Sequence, residues 1–148
     1  MKKVLFTAAI LCSALLLSCG STKTNSSAKN AVSGGITKLN GSWELSYIAG
    51  NDVAILYTSK KPFIHFDIAK EMVNGNSGCN NFTGNLYADD HKMDFTKPMA
   101  MTRMACMGEG ENIFIQALQK VSSYSISNGN TLNLISNADS IVMRLSKK

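Results

Sequence analysis

Apolar and polar residues alternate with a period of two along much of the chain beyond residue 40. Trp43, Leu45 and Tyr47 interleave with polar or small neighbours, and Ile64, Phe66 and Ile68 interleave with His65 and Asp67. This is the pattern of a strand with one buried face. Met72-Val73 runs into Asn74-Gly75, a dipeptide that predicts a tight turn. Phe82 to Ala88 and Lys92 to Phe95 predict a hairpin folded about Asp89-Asp90-His91. Tyr124 and Ile126, then Leu132 and Leu134, then Ile141, Met143 and Leu145 predict a three-strand meander. Its first turn, Asn128-Gly129-Asn130, suits the primed geometry that matches strand twist. One stretch changes period. From Glu111 to Val121 the apolar residues Phe114, Ala117, Leu118 and Val121 recur at spacings of three and four, which marks one face of an amphipathic helix. Glu109 and Glu111 stand where the helix dipole favours negative charge. No long-period repeat and no second domain emerges. The expected fold is α+β: mostly antiparallel strands in a curled or partly closed sheet, with one amphipathic helix packed on it.

The first 38 residues follow other rules. Lys2 and Lys3 precede an apolar run from Val4 to Leu17, broken only by Thr7 and Ser13. The run is short and ends on small residues, so it reads as a secretory signal rather than a membrane-spanning helix. No later apolar run approaches the ~18 residues a spanning helix needs. Leu16-Leu17-Ser18-Cys19 resembles a bacterial lipoprotein signal, or lipobox. That resemblance implies cleavage before Cys19, a diacylglyceryl group on its thiol and acylation of its new amine. Residues 1–18 are then a signal peptide, and Cys19 is the lipid attachment site. Two or three acyl chains exceed the roughly one-chain threshold of stable anchoring. The alternative is an ordinary secretory signal with an incidental cysteine. Residues 19–38, rich in Ser, Thr, Asn, Ala, Lys and Gly, predict a flexible stalk, and 39–148 the folded domain. The mature start Gly20-Ser21-Thr22-Lys23 carries no acidic cluster. The expected location is the bacterial envelope, on the outer membrane facing the periplasm.

Net charge is +5 and the pI about 9.1, values that suggest nucleic acid until the distribution is considered. Lys2, Lys3, Lys23, Lys29, Lys38, Lys147 and Lys148 lie outside the segment from Leu39 to Ser146. The segment itself sets eight basic residues against all ten acidic ones. No phosphate-binding stripe is left, and a nucleic-acid partner is excluded. A chain of 148 residues makes a single domain able to close its own core.

Four cysteines carry the sharpest chemistry. Cys12 leaves with the signal and Cys19 takes lipid. Cys79 and Cys106 remain in an oxidising compartment, which suggests a disulfide; two free buried thiols are the competing arrangement. The bridge would close a loop of about 27 residues, worth on the order of 3 kcal/mol in the chain-entropy view.

Gly78-Cys79-Asn80 with Gly84, then Thr102-Arg103-Met104-Ala105-Cys106, then Glu111 with Phe114 and Leu118, resemble the META domain, or HslJ-like, family. Leu39-Asn40-Gly41-Ser42-Trp43 fits the usual start. The resemblance spans roughly Leu39 to Leu145 and departs at Leu86, where members often carry an aromatic. It implies a small α+β domain with its cysteine pair bridged, exported and frequently lipidated. The family's bacterial namesake is linked to heat shock and to novobiocin tolerance, and a protozoan relative to virulence. It also implies kinship in fold with secretin-pilot lipoproteins, which bind lipid or a partner segment in a cracked barrel. It supplies no molecular activity.

No catalytic constellation stands out. Cys79 with His65 or His91 and Asn80 makes a residue set for thiol chemistry only if Cys79 stays reduced. A zinc site from Cys79, Cys106, His65 and His91 lacks any short ligand pair. Asp89-Asp90 falls at a hairpin tip and Glu109/Glu111 at a helix start, where such residues belong on structural grounds. Asn80 and Arg103 are the candidate binding residues. The structural alternatives are Asn80 capping loop backbone beside the disulfide and Arg103 pairing with Glu111. Met99, Met101, Met104 and Met107 surround Arg103; thioethers suit Cu(I) or an adaptable apolar surface, and equally fill core gaps. The chain is therefore expected to be a non-enzymatic monomer without cofactor or metal. It binds the membrane through its acyl chains, and an envelope protein or an apolar ligand through its domain, in support of envelope integrity under stress.

Overall fold

The protein is described from a computed structural model, which covers residues 35–148. The signal, Cys19 and most of the stalk lie outside the described residues. The elements are α1 (Gly35–Leu39), β1 (Gly41–Ile48), α2 (Val53–Leu56), β2 (Phe63–Asp67), β3 (Met72–Asn76) and β4 (Asn81–Asn85). They continue with β5 (Ala100–Met101), α3 (Gly110–Leu118), β6 (Val121–Ser127), β7 (Thr131–Ser136) and β8 (Ile141–Lys147). The strands form one eight-stranded antiparallel sheet in the order β5-β4-β3-β2-β1-β8-β7-β6. Two meanders thus meet where β1 pairs with β8, Leu45 opposite Leu145.

The sheet curls without closing. Register shifts fall at Leu45/Tyr47, Val121/Ser123 and Leu134/Ile135, and such bulges bend a strand and raise its twist. The seam lies between β6 and the segment that follows β4. There Met93 N donates to Ser122 O (3.2 Å) and Tyr124 N to His91 O (3.1 Å). The curled interior is filled: Trp43, Phe66, Phe114, Leu118, Leu132, Leu134 and Leu145 are all fully buried. α3 supplies Phe114, Ala117 and Leu118 to it, with Phe114 6.2 Å from the Phe82 ring centre.

The predicted α+β class holds, and the strands read from period two are present, with corrections at the elements between them. Among the described residues three helices stand where one was expected. α1 ends where Trp43 Nε1 donates to Leu39 O (2.6 Å). α2 is a single turn capped by the Asp52 carboxylate, which accepts from Ala54 N and Ile55 N, as an N-cap should. Val121 does not belong to the helix: it opens β6 opposite Ser136, and pairing there overrides the helical spacing. Asn74-Gly75 is not a turn but the middle of β3, opposite Thr83 and Phe82. The reversal before β3 comes at Ile68–Glu71, with Glu71 in the left-handed region (φ 52°). The hairpin about Asp89-Asp90-His91 survives as an Ala88–Met93 bridge. The turn after β6 has Asn128 and Gly129 both at positive φ, 54° and 71°, as a primed turn requires.

Candidate functional site

Cys79 and Cys106 are joined, with Cα atoms 6.0 Å apart. The β3–β4 connection that presents Cys79 is a tight turn of Ser77-Gly78-Cys79-Asn80. Ser77 N donates to Asn80 O (2.8 Å), and Gly78 N donates to Asn76 Oδ1 (2.9 Å). Gly78 has φ 97°, and a β-carbon on it would fall 2.7 Å from the Tyr57 ring, so a side chain there meets both strain and collision. On the far side of the bridge Cys106 sits in the loop before α3.

Asn80 works inside this knot. It is 2% exposed. Its Oδ1 accepts from Thr102 Oγ1 and Met104 N, both at 2.8 Å. Its Nδ2 donates to Glu111 Oε2 at 2.8 Å and faces Met104 O at 3.2 Å and Cys106 Sγ at 3.1 Å. The loop-capping alternative is therefore the one its geometry matches. The Arg103–Glu111 ion pair is not formed: Glu111 turns to Asn80 and the disulfide. Arg103 is exposed and makes none of the three ion pairs among the described residues.

The histidines stand apart from the cysteines in the fold. His65 Nδ1 meets Ser42 Oγ at 2.8 Å on β2, and His91 lies at the hairpin tip. Asp89 Oδ1 accepts from His91 N and Lys92 N, and those bonds hold its carboxyl below the usual range. The methionines divide. Met99 and Met101 pack on the core, with Met101 in β5, whereas Met104 and Met107 are 61% and 102% exposed.

Tyr57 had no sequence signal of its own. Its hydroxyl donates to Gly110 O at 2.6 Å and its ring lies beside Gly78 and Gly110. It clasps from the α2 side the two segments that the disulfide joins.

A second feature is a cleft of about 1080 Å³ along the seam. Ile36, Ile68 and Leu86 line it together with Glu71, Lys92 and Lys120. α1 borders it, fastened where Ile36 N donates to Asp90 Oδ1 (3.1 Å). Tyr124 Oη donates to Asp89 O (2.8 Å) nearby. None of these residues was singled out from the sequence as a binding residue, because the cleft joins segments distant along the chain.

Two solved structures share the fold. One is an NMR structure of a protein from Burkholderia xenovorans, 21% identical, with a TM-score of 0.57, covering 76% of this chain and 85% of that one. The other is a crystal structure of a DUF4847 family protein from Bacteroides vulgatus, 15% identical, with a TM-score of 0.53, covering 76% and 96%. Comparison with curated proteins gives no significant match. The family model for the META domain matches residues 36–148, which takes in both cysteines, Asn80, Glu111 and the whole cleft, and the chain belongs to the META domain family.

Proposed function

We propose that this chain is a non-catalytic, HslJ-like lipoprotein of the bacterial envelope, held to the outer membrane by acyl chains on Cys19, whose seam cleft binds a segment of a partner protein. The cleft carries the reading. Its apolar patch of Ile36, Ile68 and Leu86 accepts one or two apolar side chains, while its polar and charged rim serves a segment's backbone and charges. The lipobox resemblance at Leu16 to Cys19 supports the anchor. The resemblance to HslJ-like proteins is what suggests a role in envelope integrity under heat or antibiotic. A carrier for an apolar ligand calls instead for an enclosed dry cavity, and the interior of the curled sheet is occupied by Trp43, Phe66 and Phe114. That observation favours the protein-binding reading over the carrier.

Complementation tests it. In a deletion strain sensitive to heat, detergent and novobiocin, the parent chain restores tolerance. A Leu86→Asp/Lys120→Glu variant, reaching the membrane at the parental level with an unchanged Tm, does not. A deletion strain as tolerant as its parent, or full rescue by the cleft variant, refutes the proposal.

A further inference from the structure

We propose that Cys79, Cys106 and Glu111 form a binding site for a borderline divalent cation of the Zn²⁺ class once the Cys79–Cys106 bond is reduced. Among the described residues these three form the one group of His, Cys, Asp or Glu side chains whose ligand atoms all lie within 4.8 Å of one another. Two thiolates at ~2.3 Å from a tetrahedral ion stand roughly 3.8 Å apart. Cysteines with Cα atoms 6.0 Å apart reach that separation by rotating their side chains.

Glu111 supplies the argument that this is more than a cysteine pair. A disulfide sulfur carries no proton, so the 2.8 Å approach of Glu111 Oε2 to Cys106 Sγ is no hydrogen bond in the oxidised protein. The carboxylate is held there by Asn80 Nδ2, which donates to it at 2.8 Å and lies 3.1 Å from the same sulfur. Asn80 is in turn buried and fixed at its other end by Thr102 and Met104. An N–H donor shared between a sulfur and a carboxylate is the outer arrangement that orients and tunes metal ligands. All three ligand residues are half-buried, which leaves a fourth position open to water. The Tyr57 hydroxyl bond to Gly110 and the Asn80 bonds to Met104 hold the two loops together without the disulfide, so the ligands stay near one another after reduction.

The chemistry balances. An external dithiol gives two electrons and two protons, becoming a disulfide itself and leaving Cys79 and Cys106 as thiols. The cation then displaces both thiol protons, giving two thiolates and one carboxylate on one ion. The site is not the Cys79, Cys106, His65 and His91 set that was set aside on sequence grounds for want of a short ligand pair: neither histidine belongs to the cluster. The inference is independent of the cleft.

The test uses the full mature chain in detergent. It is reduced with dithiothreitol, freed of reductant under argon and titrated with Zn²⁺ by calorimetry and with Cd²⁺ by thiolate charge-transfer absorption. We expect one ion per chain, two protons released per ion and no binding by the oxidised chain. Glu111→Gln weakens binding by at least about tenfold with the far-ultraviolet spectrum unchanged. Equal affinity of Glu111→Gln and parent, or equal binding by the oxidised chain, overturns the proposal. So does a reduced chain that unfolds and binds nothing. Should Glu111→Gln itself unfold on reduction, X-ray absorption of the zinc-loaded parent decides. Two sulfur neighbours with oxygen support the site, and an all-sulfur or sulfur-free shell overturns it.

Discussion

The Tyr57 hydroxyl, bonded to Gly110 O and shut away from water, is pushed up to about 12 by burial. Tyr124 rises to about 12 as well, first through burial and then through the negative charge of Asp90 and Asp89. Both folded-state values lie above the ~10 of a free phenol. Their contribution to stability is therefore complete below pH ~10 and is lost as pH rises toward 12, because the unfolded chain ionises first. The urea midpoint should hold level through mildly alkaline pH and fall between about pH 10 and 12. In phenolate absorbance of the folded protein, two of the four tyrosines should titrate late. A midpoint that stays level through that window contradicts the assignment. At this scale the sequence was legible where residue type alone sets chemistry. Two cysteines in a chain expected to be exported pointed to a bridge, and the bridge is there. It was not legible where an outcome depends on who stands nearby. Arg103 and Glu111 are close along the chain and opposite in sign, yet Glu111 is taken by the buried amide of Asn80. Tyr57 has no periodic pattern around it, and the two glycines that make room for its ring lie far along the chain.

Among the elements, β3 shows how a strong local signal fails. Asn74-Gly75 carries turn chemistry, but Gly75 sits in a strand between Ile64 and Phe82. A β-carbon on it would fall inside contact with the Phe63 carbonyl oxygen and the Phe82 ring. The glycine is there to let that ring lie across the strand and reach Phe114. Gly75→Ala should therefore destabilise by about 1–3 kcal/mol through overpacking. Phe82→Leu, costly alone, should cost less in the Gly75→Ala background, and chemical denaturation of the four-member cycle measures the coupling. Additive costs would show that the two do not compete for one space. The meander from β6 to β8 was readable because a clear apolar pattern and a demanding turn agreed. β5 was hidden among methionines, which have no strand pattern. The short helices α1 and α2 were invisible because four or five residues cannot display a helical period.

At the scale of the molecule, the proposed anchor and the domain make separable demands. If Cys19 carries the lipid, Cys19→Ala should abolish the incorporation of labelled palmitate, and with it the cut before residue 19, while the folded domain keeps its Tm. Metabolic labelling with immunoprecipitation and mass analysis checks this, and a Cys19→Ala chain that still takes up label would place the acyl group on another residue. The curled, unclosed sheet was foreseeable from bulky alternating strands and a single long helix. The seam cleft was not, since Ile36, Leu86 and Lys120 meet only after the sheet has curled. The pairing of β1 with β8 has a further consequence, in time rather than in space. Leu45 and Leu145 are neighbours at the middle of the sheet, and Lys148 closes on Glu44 at 2.8 Å. The strand that joins the two halves is thus the last to be made. Such distant pairing is slow to form, and a chain delivered N-terminus first has no complete sheet until its final strand emerges. The order of the strands thus makes completion of the sheet wait on β8, however early the first meander forms.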